Sequence, residues 1–438
     1  MLTLLGIATI AALLLLVLFR VTSVLVALTL VPVAAALIGG FAGSLGTFAM
    51  DGIRGVTPVA ALLAFAVIYF GVMNDAGLFE PIIRALVAVV GTDPVRIALG
   101  TAAVASVAHL DGAGASTFMV TIPAMLPLYQ RTAMSPLSLT CITALAAGTM
   151  NMLPWGGPTT RAVTALQVSA GELFLPVIPA MLVGMVGVFV FALRIGRLER
   201  ARLKSVPAFV DAEDAGERLA TEAPAVEVPR SRSFGLWVFN ALLTVATLAA
   251  LFTEVMPLPL VFMITSAVAL LVNYPGSNEQ RERLTSHGAA AMMMVTTIFA
   301  AGLFTGVLTK SGMLASMTRD LVAILPLAAL QHLPSIMAVA SMPLSLVFDP
   351  DSFYFGLLPV LANASQAAGG SAIEVGRAAV LGQMTTGFPV SPLTPATFLL
   401  VGLANVDLGD HQRRTIPYAF GVTLLMTLAA LATGAMRL

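Results

Sequence analysis

The sequence predicts an all-α integral membrane fold: about ten transmembrane helices, two re-entrant helical hairpins and two broken helices, arranged as two inverted-topology repeats. Three observations predict it. Hydrophobic residues make up 58% of the 438 and charged residues only 10%, where a soluble domain carries roughly 25%. Apolar runs of about 18 residues or more recur along nearly the whole chain, each long enough to cross ~30 Å of hydrocarbon. One displacement of 235 residues places Phe70-Gly71-Val72-Met73 on Thr305-Gly306-Val307-Leu308, Gly77-Leu78 on Gly312-Met313, Pro154 on Pro389 and Thr159 on Thr394. Such internal similarity marks a duplicated membrane unit.

In chain order, residues 1–193 read as a first membrane repeat with crossings near 2–19, 21–45, 57–75, 136–170 and 173–194. No Lys or Arg precedes the apolar run Met1 to Phe19, so it lacks the basic start of a secretory signal and is expected to stay as the first helix. Residues 194–233 are charged, contain Pro207, Pro224 and Pro229, and read as a cytoplasmic linker. Residues 234–438 give crossings near 235–253, 257–273, 288–309, 374–410 and 414–436. Five is odd, so the second repeat must enter the membrane upside down relative to the first. With the amino terminus outside, 16 of the 22 Lys and Arg residues fall on the cytoplasmic side, among them Arg20, Arg84, Arg96, Arg131, Arg281, Arg283, Arg413 and Arg414. That bias is the one expected of a multi-pass protein of the inner or plasma membrane. A net charge of zero gives no footing for a nucleic-acid partner. The single cysteine, Cys141, excludes a disulfide within the chain. The run Met292-Met293-Met294 reads as helix packing.

Two stretches carry polar tips that a plain crossing would avoid. Residues 94–130 are interrupted by Asp111-Gly112-Ala113-Gly114-Ala115-Ser116-Thr117, leaving arms of about 16 residues, or ~24 Å of helix, enough to enter, turn and return. The counterpart spans 320–366 with its tip at Phe348-Asp349-Pro350-Asp351-Ser352. Two crossings are broken by proline, one at Asn151-Met152-Leu153-Pro154-Trp155-Gly156-Gly157-Pro158-Thr159-Thr160-Arg161, the other at Gly387-Phe388-Pro389-Val390-Ser391-Pro392-Leu393-Thr394-Pro395-Ala396-Thr397. Proline removes a donor and clashes with the preceding turn, and unwound backbone at that depth survives only against protein or a wet cavity. Each restarted helix, with Pro158 fitting the first position of the earlier one, turns free N–H groups and a positive dipole end to the gap, which suits an anion.

The tips and breaks nominate Asp111, Gly112, Ser116, Thr117, Asn151, Gly156, Gly157, Thr159, Thr160, Arg161, Ser391, Thr394 and Thr397 as the substrate-binding set. A charge at this depth costs roughly 3 kcal/mol or more unless paired, so Asp111, Asp349, Asp351 and Arg161 must be paired, protonated or coordinating. Arg161 reads as a carboxylate clamp or as the ion-pair partner of Asp111. Asp111, Asp349, Asp351 and His109 are the candidates for proton or cation coupling, and Asp111 and Asp349 for contact with a metal ion. Neither a His/Cys cluster nor any other dedicated metal cage is evident, so no permanently bound cofactor is expected.

These segments resemble a known family. The stretch from Asp51 through Asp75-Ala76-Gly77-Leu78-Phe79, then Leu110-Asp111-Gly112, Asn151 to Thr159, Phe353-Tyr354-Phe355-Gly356-Leu357-Leu358-Pro359-Val360, Ser391 to Thr397 and Leu408-Gly409-Asp410-His411 closely resembles the citrate–divalent-metal/proton symporters of the ion transporter superfamily. The resemblance covers nearly the whole chain except the linker. It implies uptake of citrate complexed with a divalent metal (Mg, Ca, Zn or another) driven by inward proton flow. It also implies a homodimer with an elevator-type division into scaffold and moving parts. One departure is Ala113, where the family often carries a second acid after the Asp-Gly pair; this bears on which metal is accepted and how many protons are coupled.

Two other transport chemistries stay open at this point: a proton- or sodium-coupled carrier of a free dicarboxylate or gluconate, and a Na⁺/H⁺ exchanger. An intramembrane enzyme is disfavoured, because the chain has no Gly-x-Ser-x-Gly elbow and no His-Glu-x-x-His motif.

Overall fold

The computed structural model describes residues 1–19, 21–205, 234–253 and 256–437. Most of the expected linker, from 206 to 233, and Arg20 lie outside the described residues. Every regular element among the described residues is helical, as a chain whose backbone must satisfy itself in hydrocarbon requires.

Helices α1 (Leu2–Leu18), α2 (Val24–Ile38) and α3 (Leu45–Asp75) lead to a short α4 (Glu80–Val90). A hairpin follows, α5 (Pro94–Ala108) and α6 (Gly114–Arg131), then α7 (Pro136–Met150), α8 (Gly157–Leu166), α9 (Ala170–Phe174) and α10 (Ile178–Ser205). From residue 234 come α11 (Phe234–Thr253), α12 (Leu258–Asn273), α13 (Ser277–Lys310), α14 (Met313–Ile324), the single turn α15 (Leu327–Gln331) and α16 (Leu333–Leu344). A π-helical turn, Ser352–Leu357, opens α17 (Leu358–Ala367), and α18 (Ala372–Val380), α19 (Pro395–Leu403) and α20 (Leu408–Ala432) complete the chain. Among the described residues, four runs are long and apolar enough to cross a bilayer unaided: α3, residues 170–204, α13 and α20.

The most extensive helix interface joins α3 to α13, antiparallel. Glycine makes it: a Cβ on Gly52 would strike the Gly302 carbonyl, and one on Gly306 would strike the Phe48 carbonyl, the close backbone approach that small residues allow in membranes. Ion pairs tie both ends, Lys310 to Asp51 at 3.6 Å and Arg283 to Asp75 at 3.2 Å, and His287 Nε2 lies 2.9 Å from the same Asp75 carboxylate. Helices α12 and α2 flank this pair, with α1 and α11 outside them. A second set, α5 to α8, α10 and α16 to α20, packs beside it. At its centre α7 is buried continuously from Ser138 to Thr149, the pattern of a helix enclosed on all sides.

Several boundaries differ from the sequence reading. Helix α3 begins at Leu45, not near 57, and α13 at Ser277, not near 288. Charged residues continue these helices beyond the apolar span, where Asp51 finds Arg54 and Lys310, and Asp75 finds Arg283 and His287. The second hairpin occupies 333–367 rather than 320–366, because α14 takes 313–324. Met292, Met293 and Met294 are 62, 73 and 39% exposed, so the packing role expected of them is corrected to an outward-facing position.

Candidate functional site

The first hairpin turns through a 3₁₀ segment, His109–Asp111, and Gly112 at φ +73°, a left-handed conformation that glycine adopts without strain. Asp111 folds back onto the start of α6, accepting from the Ala113 amide at 2.8 Å and from the Ser116 hydroxyl. His109 is fully buried, with Nδ1 2.7 Å from Thr117 Oγ1 and Nε2 3.3 Å from Asn151 Oδ1.

Asn151 opens the first break and holds it to the second, donating through Nδ2 to the Met384 carbonyl at 2.7 Å. Since Nδ2 is committed there, Oδ1 faces His109 and Nε2 of that ring carries the hydrogen. Trp155 Nε1 donates to Leu110 O at 2.9 Å, tying the break to the first hairpin. Its ring packs against Phe70 of α3 and Phe262 of α12. Gly156 cannot carry a side chain, since a Cβ would meet Asn151 O, and a Cβ on Gly157 would push against the Met384 methyl. The restarted helix begins at Gly157, so Pro158 is its second residue rather than its first.

Arg161, expected to clamp a carboxylate or to pair with Asp111, has a different protein partner. Its Nε donates to Asp351 Oδ1 at 2.7 Å and Nη1 to Gly157 O at 3.3 Å, with 21% of the side chain exposed. Asp111 and Arg161 are thus not an ion pair; the second hairpin supplies the carboxylate instead. A guanidinium carries five N–H groups, so most of its donors stay open. In the same hairpin Asp349 Oδ1 accepts from the Asp351 and Ser352 amides at 3.0 and 3.1 Å, while its Oδ2 is buried without a partner.

The second break runs from the turns after α18 through a 3₁₀ segment, Phe388–Val390, to α19. Met384 sits at φ +57°. Phe388 stacks on His109 at 6.0 Å and on Phe118 at 6.1 Å, joining this break to the first hairpin. Ser391 Oγ donates to Ser345 O of the second hairpin at 2.6 Å. Each break therefore bonds or packs against both hairpins or against the other break, with His109, Asn151, Met384 and Ser345 at the joints.

A hydroxyl has one hydrogen to give, which sorts the proposed contacts. Thr159 Oγ1 donates to Met152 O at 2.6 Å, Thr160 to Gly156 O at 2.9 Å, Thr397 to Phe388 O at 2.7 Å. Ser391 is committed as above, Ser116 bonds Asp111, and Thr117 gives its hydrogen to His109 or to Ala113 O. These hydroxyls shape the breaks and tips, and what they still offer is lone pairs. Thr394 Oγ1 is the exception in the nominated set, buried with no partner. Gln383 and Met384, absent from the sequence reading, complete the frame with Tyr354, which stood there only in the family motif. Gln383 reaches Phe348 O at 3.4 Å and Ser345 Oγ, Tyr354 OH donates to Gln383 O at 2.9 Å, and Met384 N donates to Ser345 Oγ at 3.3 Å. A lone amide in the apolar run Val380-Leu381-Gly382-Gln383 was the available signal. Among the described residues no three His, Cys, Asp or Glu side chains converge as a metal cage.

Comparison with known proteins places this geometry in context. Residues 2–382 match a family model described as citrate transporter. A Bacillus subtilis (strain 168) protein named citrate transporter is 43% identical over 434 residues, 99% of each chain. The Mg(2+)/citrate complex secondary transporter of the same organism is 37% identical over 439 residues, the full length of both. Among solved structures, the YdaH transporter of Alcanivorax borkumensis aligns with a TM-score of 0.60 over 90% of this chain and 89% of its own, at 16% identity. MtrF of Neisseria gonorrhoeae gives 0.60 over 91% and 84%, at 12% identity. At those identities the likeness is one of fold, a helical transporter fold.

Proposed function

Because this chain belongs to the citrate transporter family, whose relatives are transporters and not enzymes, we propose that it is a secondary active carrier for citrate complexed with a divalent metal, driven by inward proton flow. The relative named for a Mg(2+)/citrate complex supports the metal-bound form of the substrate. One observation carries the site assignment: two broken helices and two hairpin turns meet through the Asn151–Met384 bond, and beside them Thr394 Oγ1 and Asp349 Oδ2 are buried without partners. Citrate carboxylates would take the open N–H groups of Arg161, the Thr394 hydroxyl and the amides at the starts of α8 and α19. Citrate would bring most of the metal's oxygen ligands with it, leaving one or two positions for Asp111 or Asp349. Protonation at those acids, at Asp351 or at His109 would neutralise the loaded site for crossing.

The same reading takes residues 1–193 and 234–438 as inverted repeats around a cytoplasmic linker, with the amino terminus outside. Supporting it, α3 and α13 end 235 residues apart, at Asp75 and Lys310, and each is followed by a left-handed glycine, Gly77 and Gly312. The contact of Gly52 with Gly306 maps, by the same displacement, onto that of His287 with Gly71. In the elevator division, α1 to α3 and α11 to α13 would form the scaffold of a homodimer, and the hairpins with the broken helices would move.

The test is labelled-citrate uptake into proteoliposomes under an inward proton gradient, in EDTA and then with Mg²⁺, Ca²⁺ or Zn²⁺ singly. Uptake only with metal and only with the gradient supports the proposal. Equal uptake in EDTA makes the chain a free-acid carrier. Sodium-driven proton flux without citrate uptake makes it an exchanger.

A further inference from the structure

The motif Leu408-Gly409-Asp410-His411 has no part in the site described so far, yet it lies directly behind the second break. His411 is fully buried and its Nε2 is 2.9 Å from the Pro389 carbonyl; the next residue, Gln412, donates through Nε2 to the Val390 carbonyl at 2.9 Å. Backbone chemistry explains why side chains are needed there. The donors that would continue the 3₁₀ turn are missing or diverted: Pro392 has no N–H, the Leu393 amide bonds Ser391 Oγ at 3.2 Å, and the Thr394 amide bonds Ser391 O at 3.4 Å. Buried carbonyls must find partners elsewhere. With Thr397 Oγ1 on Phe388 O at 2.7 Å, three successive carbonyls of the turn are each held by one side chain.

The His411 ring is itself fixed, with Thr140 Oγ1 of α7 at 3.1 Å and Thr415 Oγ1 at 3.3 Å from Nδ1. Because Nε2 faces a carbonyl, that nitrogen carries the hydrogen, and the neutral ring suffices. The first break has no such support: Pro176 stands 235 residues before His411 and offers no donor, and among the described residues no α10 side chain bonds residues 151–156.

We propose that His411 and Gln412 are positioning residues for the second broken helix, holding the turn at 388–390 so that Thr394 and the start of α19 keep their aim at the substrate. They touch no substrate and act through Thr394, so the inference rests on the assignment of Thr394 above.

The experiment is Mg²⁺–citrate uptake by the full chain in proteoliposomes, resolved into KM and maximal rate, for His411→Ala, His411→Gln, Gln412→Ala, Thr394→Val and the double variant His411→Ala with Thr394→Val. Positioning predicts that His411→Ala raises KM by about tenfold with little change in maximal rate, that His411→Gln, which keeps an N–H at similar reach, returns KM to within about threefold of the parent, and that Gln412→Ala raises it by about threefold. Action through Thr394 predicts non-additivity, the double variant being hardly worse than Thr394→Val alone. A parental KM in His411→Ala overturns the inference, as do fully additive losses in the double variant. If His411→Ala does not fold, a parental KM in Gln412→Ala overturns it equally. A parental KM in Thr394→Val would instead sink the site assignment beneath it.

Discussion

Asp351→Asn is the substitution whose outcome the Arg161 geometry fixes most sharply. Asp351 gives Arg161 Nε an acceptor at 2.7 Å, and the two side chains are only 15 and 21% exposed. In the empty carrier this carboxylate takes the Nε hydrogen and offsets the guanidinium charge, which weakens the pull of the open N–H groups on a citrate carboxylate. Asparagine keeps the volume and an oxygen but removes the charge. A hydrogen bond to a charged group contributes about 1.5–3 kcal/mol net, and about 1.4 kcal/mol is tenfold in affinity. Losing that offset should therefore lower KM for Mg²⁺–citrate by about tenfold. The same change leaves Arg161 less compensated, so the thermal unfolding midpoint should fall in detergent. Arg161→Lys, which keeps the charge without the planar fork, should do the reverse and raise KM by about tenfold. The assay is initial-rate citrate uptake at fixed Mg²⁺ with both variants at matched incorporation. A raised KM in Asp351→Asn would refute this reasoning and leave the pair a purely structural strut.

Thr394→Val and Thr397→Val separate binding from framework. The first removes an unpartnered buried hydroxyl and should leave thermal stability unchanged or improved while raising KM by about tenfold; the second removes the shorter of two bonds to Phe388 O, leaving only the Ser391 amide at 3.4 Å, and should cost about 0.5–1.5 kcal/mol of stability. Asn151→Asp puts an acceptor against the Met384 carbonyl in place of the donor at 2.7 Å, and should abolish uptake while the conservative Asn151→Gln retains a fraction of it. For topology, Ala208→Cys in a Cys141→Ser background should react with an impermeant maleimide in inverted vesicles only; labelling in right-side-out cells would place the linker outside.

The breaks are legible in the sequence because proline and glycine cluster there: Pro154 and Pro158 flank Gly156-Gly157, and Pro389, Pro392 and Pro395 follow Gly387 at three-residue spacing, whereas isolated prolines such as Pro58 and Pro417 stay inside helices. The first hairpin turn is legible for the same reason, since Gly112 supplies the left-handed residue between two apolar arms. The partner of Arg161 is not, because nothing local distinguishes Asp111 from Asp351 as the acid that folding brings to it. Hydroxyl assignments fail similarly. Thr159 and Thr394 look equivalent in a string, but only the carbonyl left free by the Met152 turn decides that the first is spent on its own backbone. The starts of α3 and α13 lie earlier than 57 and 288 because charged residues continue each helix past its apolar span: Asp51 meets Arg54 and Lys310, and Arg283 meets Asp75 across the two helices.

The central claim is that metal and citrate cross together. Proteoliposomes loaded with a luminal Mg²⁺ indicator, given labelled citrate and Mg²⁺ under an inward proton gradient, report both species in one experiment. Luminal Mg²⁺ and citrate should rise one for one and both should vanish in EDTA. Citrate accumulating while luminal Mg²⁺ stays flat would contradict the account.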